Sequence, residues 1–151
     1  PNEGIYYICQ MLLTVILLII FSMSFSKDFC ISGIENPYPE PFLDYLLRKH
    51  TEKAILERGY GLRCDGDAED IKPAVELLRE TPIAYTPQQR VSAYNLELKV
   101  SLTLGKDKRT FSTIVSYSQP EGGLGDLPRR SALQDAMGII YIDMLDFIGR
   151  R

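Results

Sequence analysis

The feature that most constrains the fold is the stretch "RVSAYNLELKVSLTL", residues 90–104. From Tyr94 to Leu104, every second residue in it is aromatic or aliphatic. A period of two is typical of a β-strand that buries one face and exposes the other. After the turn "GKDK", the stretch "RTFSTIVSYS" alternates in the same way. Two such runs joined by a short polar turn predict an antiparallel hairpin. The positions predicted to face the core are Tyr94, Leu96, Leu98, Val100, Leu102 and Leu104 in the first run, and Phe111, Thr113, Val115 and Tyr117 in the second.

Two amphipathic helices flank this hairpin in the sequence, because apolar residues recur there at helical spacing. Three prolines between residues 37 and 41 exclude a helix interior, so the first helix is predicted to begin near Pro41. It is predicted to end at Gly59, since glycine favours the backbone conformation of a helix C-terminus. The second helix is predicted to begin near Ser131, at a capping-box spacing, and to end at Gly149.

The segment between the first helix and the hairpin, "CDGDAEDIKPAVELLRETPIAYTPQQ", is ambiguous. Its "AVELLRE" prefers a helix, whereas Pro73 and "TPIAYT" suit an extended strand, and the residues alone leave both readings open. The acidic cluster "DGDAED" lacks the glutamate at the twelfth position of a calcium loop and is interpreted as a solvated turn. The predicted fold is α+β, a small mixed or antiparallel sheet of about four strands with two helices on one face, in the order β-α-β-β-β-α.

The N-terminal part has no charged residue from Ile5 to Ser26. As a helix, these roughly 22 residues would span the ~30 Å of a bilayer core. A signal peptide fits as well: Met11 to Phe21 is an apolar core, and "SMSFS" supplies small residues for cleavage after Ser26. However, the first basic residue, Lys27, follows the run, whereas a signal peptide carries its charge before it. The sequence therefore predicts two parts, a signal peptide or membrane-anchoring segment over 1–26 and a single domain over 27–151.

Composition gives no reason to expect nucleic acid as the partner, because 17 basic residues face 20 acidic ones and the net charge is −3. Three cysteines at wide spacing do not predict a zinc site, and no cofactor is predicted. No serine lies in a nucleophile elbow, and the sole histidine, His50, is predicted to have a helix-surface or packing role. The scattered carboxylates form no pair that must meet in a cleft. These observations predict a binding or assembly role rather than an enzyme.

Two stretches carry a resemblance to a known family. "GIENPYPEPFLDYLLRKHTEKAILERGYGL" and "TPIAYTPQQRVSAYNLELKVSLTL" resemble the opening and the central strands of the LPS-assembly lipoprotein LptE family, and the likeness covers residues 31–151. Its clearest part is the Arg, Val, x, Ala, Tyr, x, Leu run of the family. That run is represented here by Arg90, Val91, Ala93, Tyr94 and Leu96.

The resemblance implies a periplasm-facing outer-membrane subunit that plugs and supports the LptD β-barrel and helps deliver lipopolysaccharide to the outer leaflet. It also implies a strand where "AVELLRETPIAYT" stands. The family has a lipidated cysteine upstream of its first strand; Cys9 has about that spacing, although its neighbours "YYI" are not a typical lipidation box. The alternative class is an interaction domain of an inner-membrane complex, with residues 5–26 retained as a transmembrane helix.

Two site hypotheses follow from the implied function. Phosphates of lipopolysaccharide bind cations, best as arginine forks. In an oxidising periplasm, Cys30 and Cys64 are predicted to form a disulfide, since both are expected at the starts of two strands that bracket the first helix. The predicted phosphate contacts are Arg90, Lys106, Lys108, Arg109, Arg129 and Arg130, each of which could equally be a solubilising surface charge.

Overall fold

The predicted hairpin forms the centre of the structure, a computed structural model that describes residues 2–21, 27–120 and 125–150. Its two strands pair in antiparallel register from Leu104 and Asp107 at the turn to Ala93 and Ser118 at the open end, without a register shift. The elements are α1 Glu3–Phe21, β1 Asp28–Ile31, α2 Pro41–Glu57, β2 Gly61–Leu62, β3 Glu69–Tyr85, β4 Val91–Leu104, β5 Asp107–Ser118 and α3 Leu127–Gly149.

The strands form one mixed sheet in the order β2-β1-β3-β4-β5. β1 runs parallel to β2 and β3, whereas β3, β4 and β5 are antiparallel neighbours. The α+β class is as predicted, but the sheet described here has five strands rather than about four. The additional strand, Gly61–Leu62, has two residues, which is too short for any periodicity to reveal it.

The ambiguous segment is the long strand β3. It pairs with β4 from Ile71 to Tyr85, with a shift between Val75 and Leu77 and further shifts near Ala84. The helical preference of "AVELLRE" is overridden because this segment pairs with β4 from Ala74 to Glu80, and a bridge from Glu35 adds a second neighbour at Ala74. The strand implied at this place by the resemblance is therefore present.

The two helices of the domain both pack on one face of the sheet, as predicted. α2 begins at Pro41 and is followed by Gly59, whose φ of +79° is the left-handed conformation of a helix end. The start predicted for α3 was wrong: the helix begins at Leu127, and Ser131 lies inside it rather than at its cap. Pro128 explains the earlier start, since its fixed φ suits a first helical turn.

The core lies between this face and the two helices. The predicted alternation in β4 is confirmed, because five of its apolar side chains are buried: Leu96, Leu98, Val100, Leu102 and Leu104. Tyr94 and Tyr117 are only half-buried, since they lie nearer the open end of the hairpin. The helices contribute Leu43, Leu46, Leu47, Thr51, Ala54 and Ile55 from α2, and Ala132, Leu133, Ala136, Met137, Ile140, Met144 and Ile148 from α3.

The N-terminal apolar run forms the helix α1, and its side chains from Glu3 to Ile20 do not pack against the domain. Within the described ranges, this helix is long and apolar enough to cross a membrane, judged by length and composition. The cleavage point predicted after Ser26 lies outside the described residues.

Cys30 and Cys64 are joined by a disulfide, with their Cα atoms 4.6 Å apart. Cys30 lies in β1, and Cys64 follows β2 rather than beginning a strand. The bond closes a loop that contains all of α2, so it ties both ends of that helix to the edge of the sheet.

Candidate functional site

The sheet extends beyond the two helices at the end where β3 turns into β4. From Leu77 to Tyr85, no residue of β3 is buried, and β4 has no buried residue before Leu96. Ile83 and Tyr85 are 48% and 62% exposed. We call residues 80–95 the projecting hairpin. Apolar side chains on such an uncovered segment are available to a partner.

A cluster of charged residues, which we call the Arg129 clamp, lies at the base of the projecting hairpin. The Nε of Arg129, in the first turn of α3, donates to both carboxylate oxygens of Glu80 at 3.0 Å, and a second guanidinium nitrogen contacts Glu40, the residue before α2. The Tyr117 hydroxyl donates to the same Glu80 carboxylate. The clamp therefore connects α3, β3, β5 and the start of α2.

The clamp is shielded from solvent: the side chains of Arg129, Glu40 and Glu80 are 23%, 15% and 25% exposed. Burial alone would lower the pKa of Arg129, but its bonds to Glu40 and Glu80 outweigh that effect and raise it. Burial and the bond to Glu80 raise the pKa of Tyr117. Both groups thus keep the protonated form that the clamp requires.

An open cleft of about 330 Å³ adjoins the clamp. Its aromatic wall is a stacked pair, Tyr94 and Tyr117, with ring centroids 5.3 Å apart. Gln119 also lines the cleft, and its amide donates to the carbonyl of Gly125 at 3.0 Å. Such a wall suits an apolar or planar group. Across the described part of the chain, no group of His, Cys, Asp and Glu side chains is arranged to hold a metal ion.

The six predicted phosphate contacts lie at three separate places. Arg90 ends the turn of the projecting hairpin, whereas Lys106, Lys108 and Arg109 lie around the β4–β5 turn at the opposite end of β4. A strand of 14 residues separates these two ends by roughly 40 Å. Arg129 and Arg130 begin α3. The structure therefore does not bring the six cations into one site, although it groups three of them.

Within this group of three, Lys106 has no ion-pair partner among the described residues. Lys108 Nζ lies 2.7 Å from Glu76, and this bond, with a second from Ser101, lowers the pKa of the Glu76 carboxyl. Arg109 lies 3.6 Å from Asp146. The cations remain exposed, so their pairs are of the weak surface kind that a phosphate can replace.

Lys72 is a further neighbour of this group that was not predicted from the sequence. In the sheet register Lys72 pairs with Thr103, and Thr103 pairs with Lys108, so the two lysines lie on the same outer face. Lys72 is exposed and lies 4.0 Å from Asp70. Only the assignment of β3 as a strand could have revealed this neighbour. We call Lys72, Lys106, Lys108 and Arg109 the cationic end of the sheet.

The two arginines at the start of α3 differ in their surroundings. The donors of Arg129 already face Glu40 and Glu80, so a phosphate would have to displace two carboxylates there. Arg130 is exposed, lies 3.6 Å from Asp126 and stacks over the Phe42 ring at 5.1 Å. As phosphate contacts, both residues stay predictions.

Cys9, the candidate lipidation site, lies within α1 and is exposed as a free thiol. The helix continues on both sides of it, from Glu3 to Phe21.

The chain is similar to known proteins both in sequence and in fold. No family model matches the sequence. Among solved structures, the fold is similar to a minor lipoprotein from Acinetobacter baumannii, with 16% identity, 80% of this chain and 92% of that chain covered, and a TM-score of 0.48. It is also similar to the rare lipoprotein B from Shewanella oneidensis, with 15% identity, 78% and 95% covered, and a TM-score of 0.47. An uncharacterized protein from Aquifex aeolicus (strain VF5) is 34% identical over 136 residues, which are 90% of this chain and 94% of that protein. The chain therefore belongs to the same family as this Aquifex aeolicus protein.

Proposed function

We propose that the chain is a non-enzymatic subunit of the bacterial outer membrane that docks on a β-barrel of the LptD type and helps deliver lipopolysaccharide. The observation that carries the proposal is the resemblance of residues 31–151 to the LptE family. The element order is compatible with it, since a strand, a long helix, four further strands and a last helix follow one another over residues 28–149.

Two features support an exported location on the periplasmic side. The bond between Cys30 and Cys64 is typical of an oxidising compartment, because cytosolic thiols are kept reduced. The helix α1 has the composition of a signal or anchor and buries none of its surface against the domain. Whether α1 is removed or retained, both features agree with a domain that works at the cell envelope.

In this proposal the two ends of the sheet have different partners. The projecting hairpin, with the exposed Ile83 and Tyr85 and the tyrosine-lined cleft, contacts the barrel. The cationic end meets lipopolysaccharide, since lysine and arginine bind phosphate through charge-assisted hydrogen bonds. The Arg129 clamp holds the hairpin at a constant angle to the helices.

Co-purification tests the partner. The full chain carries an affinity tag, is extracted in mild detergent from membranes separated by density, and its bound proteins are identified by mass spectrometry. We expect an outer-membrane β-barrel. Isoleucine-to-aspartate substitution at Ile83 should weaken the association, while the same change at Ile139 on α3, which has the same 48% exposure, should not. An extract with the tagged chain in outer-membrane fractions but without a barrel would contradict the proposal.

The exposed helix α1 favours a second candidate, an interaction domain of an inner-membrane complex in which residues 5–26 span the membrane. A transmembrane helix exposes its apolar side chains to lipid, and the apolar side chains of α1 are exposed rather than packed against the domain. The same experiment separates the two candidates, because this one places the chain in inner-membrane fractions together with inner-membrane subunits.

Lipopolysaccharide binding is tested at the cationic end. Replacing Lys106 and Lys108 with glutamate should weaken binding of the detergent-solubilised chain at least tenfold. The matched control replaces Lys49 and Lys53 on α2, which changes the net charge equally. Charge reversal at Arg129 does not test binding specifically, because a third carboxylate beside Glu40 and Glu80 would destabilise the domain itself. Equal affinities for the two double variants would remove the cationic end from the proposal.

A further inference from the structure

The two edges of the sheet differ in how they are protected. One edge is β2, which has two residues and is followed by the disulfide-bonded Cys64. The other edge is β5, which has 12 residues and pairs with β4 without a shift. Within the ranges that the structure describes, no strand lies on the outer side of β5.

β5 also lacks the devices that keep an edge strand from pairing with another chain. Natural edges carry charges, proline or bulges for this purpose. From Thr110 to Ser118 the strand has no charged residue and no proline, and it includes Ile114 on the outer face with 61% exposure. Its only charged residues, Asp107, Lys108 and Arg109, lie together at one end. A long, regular, uncharged edge of this kind is a template for a further strand.

The sequence of the edge indicates which strand fits. "TFSTIVSYS", residues 110–118, is symmetric in residue type about Ile114. Reversal of the segment places hydroxyl residues on hydroxyl residues, aromatic rings on aromatic rings and β-branched residues on β-branched residues. The matched positions are Thr110 with Ser118, Phe111 with Tyr117, Ser112 with Ser116, and Thr113 with Val115.

We propose that two copies of this chain associate through antiparallel pairing of their β5 edges about a two-fold axis at Ile114, so that the two five-stranded sheets become one continuous sheet. A two-fold interface must be self-complementary, and these are the cross-strand pairs that stabilise a sheet. This proposal does not depend on the proposed function.

The charge distribution selects the antiparallel arrangement. Parallel pairing would place Lys108 and Arg109 of one copy beside the same cations of the other. Antiparallel pairing about Ile114 separates the two cationic ends by roughly 36 Å along the strands.

Cross-linking tests the register. In the full chain in detergent, with Cys9 replaced by serine, Ile114→Cys should form an intermolecular disulfide under a mild oxidant, since directly opposite residues have Cβ atoms about 5 Å apart. The matched control is Ser118→Cys on the same face of β5. The two Ser118 positions are offset by roughly 26 Å and should not cross-link. Equal cross-linking at both positions, or none at residue 114, would overturn the register.

Mass measurement tests the dimer itself. By light scattering on the full chain in detergent, we expect two chains per particle for the wild type and one for Ile114→Lys, because lysine at the axis places two like charges together. Ile83→Lys, at an apolar site in β3 that is 48% exposed, should leave the dimer intact. A monomeric wild type would overturn the proposal and assign the edge to a strand of another protein. A dimer that survives Ile114→Lys would also overturn it and point to association through α1.

Discussion

The Arg129 clamp makes a quantitative prediction about stability. Arg129→Met keeps the apolar stem of the side chain and removes the guanidinium, so that Glu40 and Glu80 face each other without a cation. Removing one partner of a fully buried ion pair costs about 3–5 kcal/mol. The three side chains are 15–25% exposed, so water partly compensates. We expect the free energy of unfolding to fall by about 2–3 kcal/mol.

The assay is urea unfolding followed by circular dichroism on the full chain in detergent. Arg130→Met is the matched control, since Arg130 is the next residue of α3 and 57% exposed; an exposed pair contributes less than about 1 kcal/mol. Combining Arg129→Met with Glu40→Gln and Glu80→Gln should recover part of the loss, because no unpaired charge remains. Equal effects of the two methionine variants, or no recovery in the triple variant, would refute a stabilising role for the clamp.

Three further predictions concern other parts of the domain. Gln89 has a φ of +58° in the turn of the projecting hairpin, a left-handed conformation that asparagine adopts more readily than glutamine. Gln89→Asn should therefore raise the free energy of unfolding by about 0.5 kcal/mol, whereas Gln88→Asn should not. A rise in melting temperature for Gln88→Asn but not for Gln89→Asn would contradict this. Replacing both Cys30 and Cys64 with alanine removes a disulfide with a sequence separation of 34, so the free energy of unfolding measured in urea should fall by about 4 kcal/mol. Thiol counting of the denatured wild type without reductant should detect only Cys9. Burial lowers the pKa of His50, so the unfolded chain binds the proton more readily than the folded chain. The melting temperature should therefore fall as the pH falls below 6.5. His50→Gln should flatten this pH dependence, and an unchanged slope would disprove the role of His50 in it.

Most elements of the fold could be predicted because their signals are local. Leu96 to Leu104 alternate with polar residues, and the strand β4 buries one face as that period requires. α2 begins at Pro41, the last of three closely spaced prolines, and proline is favoured in the first turn of a helix. The prediction failed for β2, since two residues carry no period, and for the start of α3, where the proline at position 128 rather than the cap at Ser131 decided the boundary.

The candidate site was less predictable. The sequence identified basic residues near strand ends, but it treated them as one set. The structure separates Arg90 from Lys106 by the length of β4 and joins Lys72 to Lys108 through Thr103. It also pairs Arg129 with two carboxylates that lie 89 and 49 residues away in the chain. No local pattern contains these separations.

The sequence by itself determined the elements that follow from the pattern of neighbouring residues. These are the apolar helix α1, the hairpin of β4 and β5, and the apolar faces of the two packed helices. The local preferences of the β3 segment left helix and strand open, and only the family resemblance implied a strand there. The tertiary structure alone decided which cations are neighbours and which edge of the sheet is open. The physical reason is that a helix or strand depends on side chains a few residues apart. Strand order, register and ion pairs depend on segments that meet only when the chain has folded.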